Sequence, residues 1–221
     1  MATKKSFYNL ETERVSEYTE KFILSDVQVG NVTGLKVMHH YWQDSDGEFW
    51  GDFDNPMENV LADFAAYRKY LHFLTPEEIS KIIKPLNIDL RSLANFLGIS
   101  ASTISSISTN NRAQDKYQDN LFRSLHERIQ TDGIDATKKY IEQVNNRQID
   151  TNLNGSEIKD IRHKLNLTVR EFSKQLGIGS SQLSQIENNL REPTTYQKTL
   201  FCWKQWQLKH DFHSKNQEVS D

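Results

Sequence analysis

Residues Ile79–Ile107 read ISKIIKPLNIDLRSLANFLGISASTISSI, and residues Ile158–Ile186 read IKDIRHKLNLTVREFSKQLGIGSSQLSQI. At an offset of 79 residues the two stretches align without a gap, and 11 of 29 positions are identical. Most apolar positions that differ exchange one apolar residue for another. A match that stays in step through three helical patterns and both connections marks one small unit used twice.

Each copy carries its own helix signals. In the first, Thr75-Pro76-Glu77-Glu78 offers an N-cap, a proline at the first helical position and acidic residues in the first turn. Ile79, Ile82, Ile83 and Leu86 follow at helical spacing. Asn87 ends this helix, and Asp89 caps a second whose apolar face is Leu90, Leu93, Ala94 and Leu97. Gly98 supplies the left-handed residue that stops it, and Ser100 caps a third helix burying Ile104 and Ile107. The second copy repeats the plan. Asn154 or Ser156 starts the first helix (Ile158, Ile161, Leu165), and Thr168 caps the second (Val169, Phe172, Leu176). Gly177 makes the turn, and Gly179 or Ser180 opens the third helix (Leu183, Ile186). Ala94 and Ser173 are small where two helices cross. A connection of about three residues between the second and third helices is helix-turn-helix spacing.

Both copies resemble the helix-turn-helix domain of the phage-repressor-like regulators, the Cro/repressor or xenobiotic-response-element class. The resemblance rests on the run of apolar, small and variable residues up to glycine-apolar, and on Ile186-Glu187-Asn188 closing the third helix. The first copy continues with Gln114-Asp115-Lys116 and Asp119-Asn120-Leu121. That is similar to the DNA-binding half of antitoxins that pair a zinc finger with such a domain. The cysteines of the finger itself are absent here, since Cys202 is the sole cysteine. The expected fold is mainly α, with two repressor-like domains in tandem behind a small N-terminal α+β segment, a hairpin plus a helix. The expected boundaries are 1–70 for that segment, 71–130 for the first domain and 131–153 for a helix and polar linker. The second domain follows at 154–210 and a disordered tail at 211–221.

In the class resembled, the third helix enters the major groove and its exposed N-terminal side reaches base edges. The corresponding positions are Ser100, Ala101, Ser102 and Ser106 in the first copy, and Gly179, Ser180, Ser181 and Gln185 in the second. Gln185 can bond bidentately to adenine N6 and N7, and Gln182, nearly a turn earlier, can meet a base or a phosphate. Arg170, Lys174 and Arg191, with Arg91 and Arg112 in the first copy, are the expected phosphate contacts, which position the protein while base contacts specify. The first copy's third helix has only short side chains, so the second copy is the expected main reader. Leu90 and Val169 stand where the class usually has a polar residue holding a phosphate, which removes one anchor from each unit.

Outside the repeat, residues 1–33 have weak periodicity and are expected to be partly ordered. Residues 34–53 read as a hairpin turning at Asp44–Gly47, and Asn55-Pro56 opens a helix through Val60, Leu61, Phe64 and Tyr67. The aromatic density and acidity of residues 1–70 suggest a protein-facing role. The alternative is that Trp42, Trp50 and Phe53 are the core of a small domain. His39 and His40 point to opposite faces of a strand, and the aspartates at 44, 46, 52 and 54 lack calcium-loop spacing, so no metal is expected. Ile134–Val144 reads as a helix, followed by a polar linker, Asn145–Asn154, that permits independent movement. Trp203 and Trp206, on one face of a helix over 196–208, are either a dimer surface or a cover for the second unit's core.

Composition excludes several classes. Apolar residues make up 36% and charged residues 26%, with only 9 glycines and 4 prolines, which favours helices over a turn-rich β fold. No apolar run is long enough to cross a bilayer, and Lys4-Lys5 precede no apolar stretch, so a cytoplasmic, non-membrane protein is expected. The net charge of -3 is unevenly spread: residues 1–70 hold 7 Lys/Arg against 12 Asp/Glu, and residues 153–213 hold 9 against 6. No phosphate-cradling glycine loop, metal cluster or nucleophile–base pair argues for an enzyme, and no cofactor is expected. The function expected is a sequence-specific, double-stranded-DNA-binding regulator that represses its own operon; the class resembled implies a homodimer reading a palindrome, and two units of one chain reading two half-sites is the other arrangement open. The alternative is an antitoxin-like or phage-defence-related module holding a protein partner through residues 1–70.

Overall fold

A computed structural model of the chain describes residues 3–217, and their side chains as far as His210. The contacts divide the chain into two units: residues 1–75 with 110–113, and residues 76–109 with those from 114 on.

The first unit is built on a four-stranded antiparallel sheet in the order β1-β2-β3-β4: β1 (Lys4–Asn9), β2 (Arg14–Val29), β3 (Val32–Gln43) and β4 (Phe49–Trp50). Helix α1 (Glu58–Leu71) packs on β3. This corrects the expected hairpin plus helix. The turn at Asp44–Gly47 forms, with the Asp44 carboxylate accepting from the backbone N–H of Asp46 and Glu48. Only Trp42 and Gln43 pair across it, however, and the main partner of β3 is β2. β4 ends early because Asp52 accepts from the backbone N–H of Asp54 and Asn55, a turn that competes with the ladder. Along the rest of that edge α1 stands in for a strand: Asn59 takes the His40 N–H and donates to the His40 carbonyl, both at 2.8 Å.

The sheet buries a cluster on each face. Leu35 and Val37 pack with Tyr67 and Phe73. On the other face Phe7, Tyr18 and Trp42 pack with Trp50 and Phe53, and the Phe7 and Trp42 rings meet edge to face at 4.9 Å. Trp42 is therefore core, with Trp50 and Phe53 half-buried against it. His39 and His40 take separate partners, Asp63 at 2.7 Å and Glu58 at 2.9 Å.

The second unit contains α2 (Pro76–Ile83), a 3-10 turn at Lys84–Leu86, α3 (Leu90–Leu97), α4 (Ala101–Ser108), α5 (Lys116–Asp132) and α6 (Ile134–Asn145). Helices α7 (Gly155–Lys164), α8 (Val169–Leu176), α9 (Ser180–Glu187) and α10 (Thr195–Gln217) complete it. α2, α3, α4 and α5 each begin 79 residues before α7, α8, α9 and α10. The left-handed positions recur with the same spacing: Asn87 and Asn166, Gly98 and Gly177, Asn110 and Asn189. So does the reach of a glutamine back to its helix start, from Gln118 to the Asp115 N–H and from Gln197 to the Thr194 N–H, both at 2.9 Å. The repeated core is dry: Ile79, Leu93, Leu97, Ile104, Ile107, Leu121 and Phe122 in one block, Ile158, Phe172, Leu176, Leu183, Ile186, Leu200 and Phe201 in the other, are at most 1% exposed. Each such side chain contributes roughly 1.5–3 kcal/mol, which is what holds eight-residue helices too short to stand alone.

The expected freedom of the segment between the blocks is not what the structure has. α6 lies on α3 and α5. Asn145 donates to the Ser92 carbonyl at 2.9 Å, and the Arg128 guanidinium stacks 3.9 Å above the Tyr140 ring. Lys198 reaches Asn152 at 2.6 Å, so much of the connection is tied down by side chains that sequence periodicity does not reveal. α10 continues through 211–217, where a tail was expected. Of that expected tail, residues 218–221 lie outside the described residues.

Candidate nucleic-acid interface

The turn between α8 and α9 shapes the second copy's surface. Thr168 caps α8 by accepting from the Glu171 N–H while Glu171 reaches back to the Thr168 N–H at 2.8 Å. That closed loop holds the Glu171 carboxyl below the usual carboxylate range, the Thr168 hydroxyl being the larger cause. Gly177, at φ 76, ends α8 and sends the chain back through Ile178 and Gly179. Leu183 and Ile186 then clamp α9 with its opposite side outward. Gly179, Ser180, Ser181 and Gln185 are exposed and Gln182 is half-buried. Gln182 lies back over the helix start, its Cγ 3.6 Å from where a Gly179 side chain would begin. Arg170 and Lys174 are exposed on α8, and Arg191 is exposed just beyond α9.

The only acid on α9, Glu187, does not face outward. It is 6% exposed and forms a two-pronged pair with Arg162 of α7, at 2.7 and 2.9 Å. The third guanidinium nitrogen donates to the Leu167 carbonyl. Glu187 raises the Arg162 pKa above its ordinary value, chiefly through these bonds. Sequence reading used Glu187 only as part of a motif. Its partner carried no signal, because the matching residues of the first copy are Ile83 and Ser108.

The first copy places its predicted residues differently. Ser100 caps α4, and its hydroxyl is 2.8 Å from both the Ser102 and Thr103 hydroxyls, so these groups bond one another. Ala101 and Ser106 are half-buried, while Ser102, Arg91 and Arg112 are exposed. Helix α4 bears no charge and no amide. Of the run Gln114 to Leu121, Asp115 and Lys116 are exposed but most of the rest faces inward: Gln114 is buried against Asp119, Asp119 binds Arg123 at 2.6 Å, and Asn120 donates to the Gln175 carbonyl at 2.7 Å.

Among the described residues, His40, Asp52 and Glu58 place potential metal-ligating atoms within 4.8 Å of one another. These side chains also bond within the fold: His40 Nδ1 bonds Glu58 at 2.9 Å, and Asp52 accepts from the Trp42 indole at 2.9 Å. No helix among the described residues is long and apolar enough to cross a membrane.

Residues 155–208 match a helix-turn-helix domain family. The matched span runs from the start of α7 into α10, so the match falls on the second copy of the repeat. No curated protein and no solved structure matches the chain.

Proposed function

We propose that the chain is a sequence-specific regulator of transcription that binds double-stranded DNA and represses its own operon. In this reading residues 71–130 and 154–210 form two repressor-like domains in tandem, and α9 reads the major groove. One observation carries it: Ser181, Gln182 and Gln185 of α9 have no side-chain hydrogen bond within the described chain, and Arg170 and Lys174 of α8 and Arg191 just beyond α9 are exposed with no salt bridge among the described residues. A helix whose one carboxylate is paired from behind and whose amides are free suits a polyanion with base edges to read. Domains of this family are regulatory rather than catalytic, in keeping with a non-enzymatic role.

Binding of a fluorescent duplex from the gene's own upstream region, followed by anisotropy across a salt series, tests the reading. Affinity should fall steeply with salt, and Arg170→Ala should flatten the slope of log K against log salt by about 1. Gln185→Ala should weaken the specific duplex more than a scrambled one. Equal binding of both duplexes by the unaltered chain would refute sequence-specific regulation.

A second reading, capture of a protein partner by the N-terminal unit, is favoured by the sheet. Leu24 and Met38 pair across β2–β3 and, with Phe22, stand 54–60% exposed. Under that reading Leu24→Glu abolishes partner capture and leaves DNA binding unchanged.

A further inference from the structure

We infer that a single chain, and not a dimer of chains, is the DNA-reading unit, and that its operator has two unlike halves; this rests on the regulator reading above. The two blocks meet through paired contacts. A Cβ on Gly98 would strike the backbone of Thr195 and Tyr196, and a Cβ on Gly177 would strike Lys116 and Tyr117. Asn120 donates to the Gln175 carbonyl at 2.7 Å, and Thr199 donates to the Phe96 carbonyl at 2.8 Å. Add 79 to each residue of the first block and the two glycine contacts exchange, as do the two hydrogen bonds. Tyr117 and Tyr196, equivalent residues, meet each other with ring centroids 4.5 Å apart.

Reciprocal contacts, in which i meets j while the equivalent of j meets the equivalent of i, define a two-fold interface. A residue meets its own equivalent only at the axis of such an interface. Repeats stacked head to tail would give one set of these contacts without the other. The chain thus contains the symmetry that a palindrome-reading dimer obtains from two subunits, with α4 and α9 as its related helices. Trp203 and Gln207 of α10 also both bond Glu127 of α5, at 2.7 Å, so of the two roles expected for the tryptophan face Trp203 fills the one within the chain.

The symmetry is of backbone and not of reading residues. Where α9 offers Gln182 and Gln185, α4 offers Thr103 and Ser106. One half-site is then read by amides, which suit adenine, and the other by short hydroxyls that discriminate weakly. A homodimer must read equal halves; this chain does not.

Selection from a random duplex library with the full chain, followed by stoichiometry on the selected duplex, tests the inference. The expected result is one chain per duplex, with two protected half-sites about one helical turn apart and of unlike sequence. Ser106→Gln, or Thr103→Gln with Ser106→Gln, should shift preference by tenfold or more toward a palindrome of two α9-type half-sites. Gln185→Ser should erase specificity in one half only. Two chains per duplex, a single protected half-site or equal halves with the unaltered chain would overturn the inference while leaving sequence-specific binding intact. Failure to enrich any sequence would remove the regulator reading and this inference with it.

Discussion

Gly98→Ala measures the contact between the two blocks directly. Gly98 sits at φ 68, and a side chain there would meet the backbone at Thr195–Tyr196. The left-handed conformation costs an alanine about 1–2 kcal/mol, and forcing a methyl against packed backbone costs about 1–3 more. Neither cost is relieved by a rotamer change, because the obstacle is main chain. The expected loss is therefore about 2–5 kcal/mol, a large share of the 5–15 typical of a domain. Asn166→Ala lacks the second cost, since φ is 53 there and a Cβ is already accommodated; it carries only the difference between Asn and Ala in that conformation and should lose about 1 kcal/mol or less. Gly179→Ala has neither cost, because φ is -69 and the new methyl meets only the flexible Gln182. Urea unfolding followed by far-UV circular dichroism, with m-values checked, separates the three. Equal losses for Gly98→Ala and Asn166→Ala would refute the close approach of the blocks.

Arg162→Met leaves Glu187 buried and unpaired and should cost about 3–5 kcal/mol; Arg162→Ile with Glu187→Ser, the pair found in the first block, should recover most of it by the same unfolding assay. In the N-terminal unit the Trp50 indole holds Asp44, and the Trp42 indole holds Asp52, below the usual carboxylate range. Their contribution to stability is complete above the unfolded carboxylate pKa and is lost as pH falls through the lower folded values. Acid titration by tryptophan fluorescence should accordingly show the N-terminal unit loosening below about pH 4, and Asp52→Asn should blunt that transition. Cys202 is partly exposed but burial pushes its thiol up to about 11, so a thiol reagent at pH 8 should label it far more slowly than a free cysteine, and faster once urea unfolds the chain. Immediate labelling would refute the packing of α10 around it.

The helical part was legible because both copies punctuate their helices with residues whose chemistry is local. Asp89, Ser100, Asn154 and Thr168 cap through their own side chains, and Gly98 and Gly177 take the conformation that only glycine adopts freely. β2 was not legible. Phe22 and Leu24 point to one face while Ile23 and Val27 point to the other, so the alternation that marks a half-buried strand never appears. The candidate reading residues of α9 could be carried over by position, but the roles of Arg162, Asn120 and Thr199 could not. Each acts on a backbone carbonyl or a carboxylate supplied by another helix, and only the folded chain brings them together. The reciprocity of the blocks was hidden for a related reason: the offset of 79 was visible through Ile186, but the contacts that use it start at residues 116 and 195.

The most direct measurement is footprinting of the gene's upstream region by the full chain, with Gln185→Ala in parallel. If α9 reads DNA, a segment is protected at moderate salt, and Gln185→Ala loses that protection at the positions facing α9 while general affinity for duplex persists. No protection by the unaltered chain even at low salt would contradict that role, and the exposed β2–β3 face would become the place to seek the protein's partner.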